Sequence, residues 1–286
     1  MKPELTLLRH KKQDGVSTWR VGCTPPGPPG HPPLKRGAYI VKHFALPENR
    51  REIENYHILQ SLGIPTPRII AWGEKTLLME DLSTGAYRLA REKDMNDPAV
   101  ATLIAAWYRT LHENGRAYAQ THELYDECGH ITQETLTMIG EKTGAKDFPI
   151  WPTLMERLPR IREIALSLPR TLTYNDFYYT NFAVARDKSA ALVFDYDLLG
   201  KGYVYADIRN VCSSLGKKAK AAFLAAYGDY DESEAAVDKI ASELFSLAAA
   251  CGQEKFPRWA EGALQKIQGW TEEDLTPPWP CGPSPL

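Results

Sequence analysis

The stretch from Thr171 to Asp197, TLTYNDFYYTNFAVARDKSAALVFDYD, limits what this chain can fold into more than any other part of it. Phe182 to Ala185 and Ala190 to Phe194 read as two short strands, with Arg186 to Ser189 as the polar turn. Such a hairpin folds Asp195 back beside Asn181, although they lie fourteen residues apart. An Asp-x4-Asn pair, Asp176 and Asn181, leads into the first strand. By itself that pair does no more than satisfy turns and caps. Placed before a hairpin that ends Val193-Phe194-Asp195, it becomes one carboxylate beside a two-ligand cation site. Phosphoryl transfer from a nucleotide needs that set: the carboxylate orients a hydroxyl nucleophile, while an Asn and an Asp hold Mg²⁺ against the phosphates.

The N-terminal third supplies matching parts. Leu5 to Arg9 and Val16 to Val21 read as strands joined by a polar turn. Gly15 and the hydroxyl of Ser17 make that turn a place where free N–H groups can lie over phosphates, although it has a single Gly. Ala38 to Phe44 is a strand carrying Lys42, and a helix signal follows at once: Pro47, Glu48, then Ile53, Tyr56, Leu59 and Leu62, with Gly63 as the stop. Glu52 shares a helix face with Tyr56 and Leu59, so it points toward the sheet, whereas Glu54 does not. A strand Lys paired with an inward helix Glu positions the α- and β-phosphates in kinases. Between these strands Thr24 to Gly37, TPPGPPGHPPLKRG, cannot be a regular helix or a central strand and reads as a long surface loop.

In this order and spacing, the motifs resemble the aminoglycoside phosphotransferase and choline kinase-like family, which shares the protein-kinase fold. The resemblance runs over roughly residues 10 to 230. It departs at one place: the family's His-Gly-Asp is Tyr174-Asn175-Asp176 here, so a loop-bracing His is replaced by Tyr. The resemblance implies an α+β fold of two lobes, a small β-rich lobe over 1–81 and a larger, mostly helical lobe over 82–286. It implies that Gly63 to Ile70 leads out of the first helix and that Met79-Glu80-Asp81-Leu82 is the hinge. There the backbone meets the adenine edge and Met79 lines the purine pocket, so Met79, Glu80 and Leu82 join Lys42, Glu52, Gly15 and Ser17 as nucleotide-binding positions. The side chains of Glu80 and Asp81 are expected to be plain solvated charges. Asp176 is the implied catalytic residue, Asn181 and Asp195 the implied Mg²⁺ ligands, and ATP or GTP the implied phosphate donor. Asp207 falls where the family has a buried, loop-bracing Asp. From about residue 83 the chain is expected to turn helical, with one helix over Ala99 to Asn114 ending at Gly115 and His112 as a core residue. Further helices are expected over 121–170, broken at Trp151-Pro152 and Pro169.

Charge refines the partner class. A net charge of −2 argues against a general nucleic-acid binder. Residues 1–45 nonetheless carry eight Lys/Arg against two acids, and residues 225–275 eleven acids against four bases. A basic front and an acidic back suit an anionic cofactor and a cationic, hydroxyl-bearing small molecule; two ordinary solvated surfaces would look the same. Aminoglycoside, choline-like amine, amino alcohol and sugar all remain open as acceptors. Five scattered Cys without a C-x-x-C pair fit a reducing cytoplasm, and no apolar run approaches the roughly 18 residues of a membrane span. Only eleven residues lie between Asp195 and Asp207, which leaves no room for a long activation segment and disfavours a protein substrate. Two other readings compete: a nucleotide-binding module without turnover, and a carboxylate-pair hydrolase, which would leave Lys42, Glu52 and Asn181 unexplained.

Overall fold

The computed structural model describes residues 4–12, 14–23 and 37–276. The Pro/Gly-rich segment expected as a surface loop, up to residue 36, lies outside the described residues, as does the tail from 277. The chain divides into two compact units, one of Met1–Gly115, Tyr174–Leu199 and Asn210–Gly228, the other of Arg116–Thr173, Gly200–Arg209 and Asp229–Leu286. The lobe boundary read from sequence, after residue 81, falls inside the first of them.

The first unit opens with β1 (Glu4–Lys11), β2 (Val16–Cys23) and β3 (Gly37–Phe44). Gly15 turns β1 into β2 at φ 61°, and a Cβ there would meet Leu46 Cγ at 2.9 Å. Between Leu7 and Arg9 the β1–β2 register shifts by one residue. A 3-10 turn, Pro47–Arg50, leads into α1 (Arg51–Ser61), where Pro47 fits because a first helical turn does not need its N–H. The inner face of α1 buries Ile53, Tyr56, Ile58 and Leu59 together with two polar groups, Glu52 and Asn55. β4 (Ile69–Gly73) and β5 (Thr76–Glu80) complete a five-stranded antiparallel sheet of order β1-β2-β3-β5-β4.

Two expectations fail after residue 82. The chain does not turn helical at residue 83: Tyr87–Leu89 forms β6, which pairs antiparallel with β8 (Phe182–Ala185). The helix expected to stop at Gly115 runs on as α2 (Pro98–Thr121). Leu111, Gly115 and Ala119, four residues apart on one face, are all buried, and that packing outweighs the roughly 1 kcal/mol helix cost of Gly. The hairpin between Phe182 and Val193 forms as read, with β8 paired to β9 (Ala191–Val193) and Lys188 in the turn at φ 59°. His112 is buried, with Nδ1 2.7 Å from the hydroxyl of Tyr227.

The second unit is built on α3 (Gln133–Thr143), α4 (Trp151–Ser167), α7 (Glu232–Cys251) and α8 (Glu261–Gln268), whose apolar faces share one core including Leu136, Leu154, Leu158, Leu244 and Leu247. Trp151-Pro152 opens α4, as expected of a Pro at a helix start. A two-stranded pair joins β7 (Thr171–Thr173) to β10 (Gly200–Gly202), and α5 (Val204–Ser214) begins in this unit, whereas α6 (Lys217–Tyr227) belongs to the first. Asp207 is fully buried. No described helix is long and apolar enough to cross a membrane.

Acids are buried in this unit with specific partners. Asp238 accepts from the Tyr203 hydroxyl at 2.8 Å and from Arg209 Nε at 3.0 Å, and Glu234 accepts from the Tyr205 backbone N–H at 2.8 Å. Burial pushes the Glu234 carboxyl up from 4.5 to about 7, opposed by that N–H. Between these values the folded chain keeps a proton that the unfolded chain releases, so the contribution of Glu234 to stability falls as pH rises toward 7. Glu234→Gln keeps the acceptor oxygen and removes the titration. Its melting temperature relative to wild type is therefore expected to climb between about pH 5 and about pH 8. A constant difference over that range would show that Glu234 titrates normally.

Candidate active site

A cavity of about 260 Å³ lies on one face of the five-stranded sheet. Its apolar wall comes from Ile40, Met79, Leu82, Leu89 and Phe194, and its polar end from Lys42, Asn181 and Asp195. Such a lining, mostly apolar with a few convergent polar groups, is typical of a small-molecule site.

Lys42 is central to the polar end. Its Nζ donates to both carboxylate oxygens of Glu52, at 2.6 and 2.7 Å, and to Oδ1 of Asp195 at 2.6 Å. Burial opposes the ammonium charge, yet the two carboxylates hold the Lys42 pKa above the usual lysine range. Asp195 is governed the same way: burial pushes its carboxyl up, but Lys42, Lys11 and Arg9 outweigh this and bring it to about 2. The backbone of Asp195 is left-handed, φ 69°, a conformation that non-Gly residues hold only where the surroundings impose it. Three contacts impose it here. Phe194 N–H donates to the Asn181 carbonyl at 2.9 Å, Asn55 Nδ2 donates to the Tyr196 carbonyl at 2.7 Å, and the Tyr196 hydroxyl donates to the Val193 carbonyl.

Asn181 links this carboxylate to the next. Its Nδ2 donates to Oδ2 of Asp176 at 2.8 Å and to the Asp176 carbonyl at 3.0 Å, while its Oδ1 accepts from Thr180 at 3.1 Å. Burial and the neighbouring Asp195 raise the Asp176 carboxyl to about 6, against the pull of Lys11 and Asn181. Asp197 lies 3.4 Å from Arg51 Nε. Among the described residues no group of three or more His, Cys, Asp or Glu is arranged to hold a metal. The oxygen donors of Asn181 and Asp195 fit Mg²⁺ instead, which keeps waters and takes one or two protein oxygens together with substrate phosphates.

The residues that differ from the expected His-Gly-Asp have physical substitutes. Tyr174 is fully buried and its hydroxyl donates to the Phe194 carbonyl at 2.6 Å, tying the loop to the residue before Asp195. Asn175 takes φ 65°, where a Gly would be at ease and Asn is the side chain that tolerates it best. Its Nδ2 donates to the Leu198 carbonyl at 3.0 Å, which secures the turn.

Of the residues singled out from sequence, Lys42, Met79, Glu80, Leu82, Asn181 and Asp195 line one cavity, with Glu52 behind Lys42 and Asp176 bonded to Asn181. Gly15 and Ser17 do not line it. Ser17 sits on the other face, its hydroxyl 2.9 Å from Nδ1 of His10. Asp81 is not the solvated charge expected: it is buried and accepts from Arg20 Nε at 2.7 Å and from Ser83 N–H at 2.9 Å. Glu80 points its carboxylate away to the Arg68 N–H, at 2.8 Å. Sequence reasoning missed Arg9, Lys11 and Asn55, none of which belongs to a motif.

The model of the phosphotransferase enzyme family, APH, matches residues 34–242. The chain belongs to that family. As a family member it is a small-molecule kinase, a phosphotransferase with an alcohol group as acceptor. No curated protein matches its sequence. Among solved structures this phosphotransferase is similar to an ethanolamine kinase of Plasmodium vivax, at 13% identity and TM-score 0.62, covering 93% of this chain and 82% of that one. It is also similar to the choline kinase LicA of Streptococcus pneumoniae, at 15% identity and TM-score 0.61 over 96% and 93% of the two chains. A ternary complex of streptomycin, ATP and APH(2")-IIa gives 17% identity and TM-score 0.61 over 95% and 93%. At these identities the likeness is one of fold, and it makes the phosphotransferase an α+β protein of the protein-kinase-like fold.

Proposed function

We propose that this phosphotransferase moves the γ-phosphoryl group of ATP or GTP, bound with Mg²⁺, onto a hydroxyl of a small amine-bearing molecule. The observation that carries this reading is Lys42 bridging Glu52 and Asp195 at one end of an apolar cavity, with Asp176 joined to Asn181 beside it. In this reading the base lies against Met79 and Leu82, and Lys42, steadied by Glu52, clamps the phosphates. Asp176 orients the acceptor hydroxyl and takes its proton, and the Asn181 amide fixes the Asp176 carboxylate for that task. Asn181 Oδ1 and the Asp195 carboxylate would hold Mg²⁺, which when bound neutralises charge on the β- and γ-phosphates. Residues 1–81 would supply the nucleotide site and residues 82–286 the catalytic and acceptor groups. The amine class is supported by the acidic C-terminal part and by the substrates that the neighbours' names carry, choline and ethanolamine. Free buried cysteines, Cys128, Cys212 and Cys251, support a reducing cytoplasmic setting.

The test is transfer of labelled γ-phosphate from ATP and from GTP to choline, ethanolamine, an aminoglycoside and a neutral sugar. Product with an amine acceptor and none with the sugar is the expected result. Nucleotide binding without transfer to any acceptor would mean a binding module, and transfer to the sugar alone would remove the amine class.

A further inference from the structure

Two strands, β1 and β3, present cations in one line across the β2 strand between them. β2 pairs Thr18 with Lys42 on β3, and β1 pairs Arg9 with the same Thr18. Directly paired residues share a face of a sheet, so Arg9, Thr18 and Lys42 stand in a row, with Lys11, opposite Val16, next along β1. The row depends on the irregularity in β1. Leu7 pairs with Trp19 and Arg9 with Thr18, which leaves Leu8 as an extra residue. In a regular ladder Leu8 would face Thr18, and Arg9 and Lys11 would point to the face of Ser17. One inserted residue is how a bulge re-aims side chains beside a functional site.

The result is a second, smaller recess lined by Arg9, Lys11, Val16, Thr18, Lys42 and Asp195, sharing Arg9, Thr18, Lys42 and Asp195 with the main cavity. Lys11 Nζ lies 3.8 Å from Oδ2 of Asp195. The Arg9 guanidinium makes no hydrogen bond among the described residues, although it borders both recesses. Lys42 is already shared between two carboxylates. Arg9 is therefore available to an anion at the end of an apolar cavity, with Lys11 beside it held by a single carboxylate at 3.8 Å, where the β1–β2 turn offers one Gly.

Resting on the nucleotide reading above, we propose that Arg9 and Lys11 form a side-chain clamp for the nucleotide's polyphosphate, doing the work that backbone N–H groups of a Gly-rich turn would otherwise do. Arg9 takes the phosphates on the Leu8 side, where the apolar lining begins. Lys11 exchanges its contact with Asp195 for the terminal phosphates, which leaves Asp195 oxygens open to the cation that accompanies them. Both side chains act on binding and positioning.

The test is calorimetric titration of wild type, Arg9→Gln, Lys11→Gln and the double variant with ATP, ADP, adenosine and inorganic tripolyphosphate. Each single substitution is expected to weaken ATP, ADP and tripolyphosphate by about 10- to 100-fold, as befits a lost charge-assisted hydrogen bond, and to leave adenosine unchanged. Arg9→Lys and Lys11→Arg should keep most of the affinity. Equal loss for adenosine would make the effect structural and overturn the clamp. Unchanged ATP binding in the double variant would overturn the clamp while leaving the nucleotide site in place. If wild type binds none of the four and GTP does not bind either, the nucleotide reading fails and the clamp with it.

Discussion

Asp176→Asn is expected to lower turnover by about 10²- to 10⁴-fold, the range for removing a general base. The substitution keeps the shape of the side chain and an oxygen that can still accept from Asn181 Nδ2, so the loop geometry survives. It removes the negative charge and the capacity to take a proton. It also relieves the repulsion from Asp195 that helps raise the Asp176 carboxyl, so the variant should fold at least as well as wild type. Nucleotide affinity is expected to hold, because Asp176 does not line the cavity proposed to receive it. The loss should therefore fall on kcat while the KM for nucleotide stays put. An unchanged kcat would remove Asp176 from the chemistry.

Asp195→Ala should abolish the Mg²⁺-dependent part of nucleotide binding. At nucleotide about 100 times its Kd, wild type should gain about 2.7 kcal/mol of stability, which a thermal shift detects readily. In the variant, addition of Mg²⁺ should make no difference to that gain. Each protein is compared with its own baseline, because removing this carboxylate frees Lys42 from one of its two partners and leaves Ala in a left-handed conformation at φ 69°. A Mg²⁺ response of wild-type size in the variant would place the cation elsewhere.

Much of this site was legible because its parts are local. The helix start at Pro47, the inward face of Glu52 and the polar turn between β8 and β9 all follow from patterns a few residues long. The parts that escaped depend on distant partners. β6 has three residues, too few to show alternation, and becomes a strand because β8, almost a hundred residues later, pairs with it. The overrun of α2 past Gly115 reflects burial of a face that helix propensity does not register. Ser17 follows the turn and so reads as a phosphate-facing residue, but alternation along β2 gives the cavity face to Thr18. Arg9 and Lys11 could not be singled out, since their direction is set by an extra residue that leaves no mark in the sequence. Tyr174 illustrates the reverse case. A departure from the family motif kept the bracing role, because a buried hydroxyl reaches the Phe194 carbonyl.

Residues 196–199 are all that lie between Asp195 and β10, and little of that connection is free to move. Tyr196 is buried and held at its carbonyl by Asn55, and Leu198 is held by Asn175. Regulated kinases draw on slack chain at this point, which a covalent mark can order or release. Here there is no slack to draw on. A covalent mark on residues 196–199 would therefore find little loose chain to order or release.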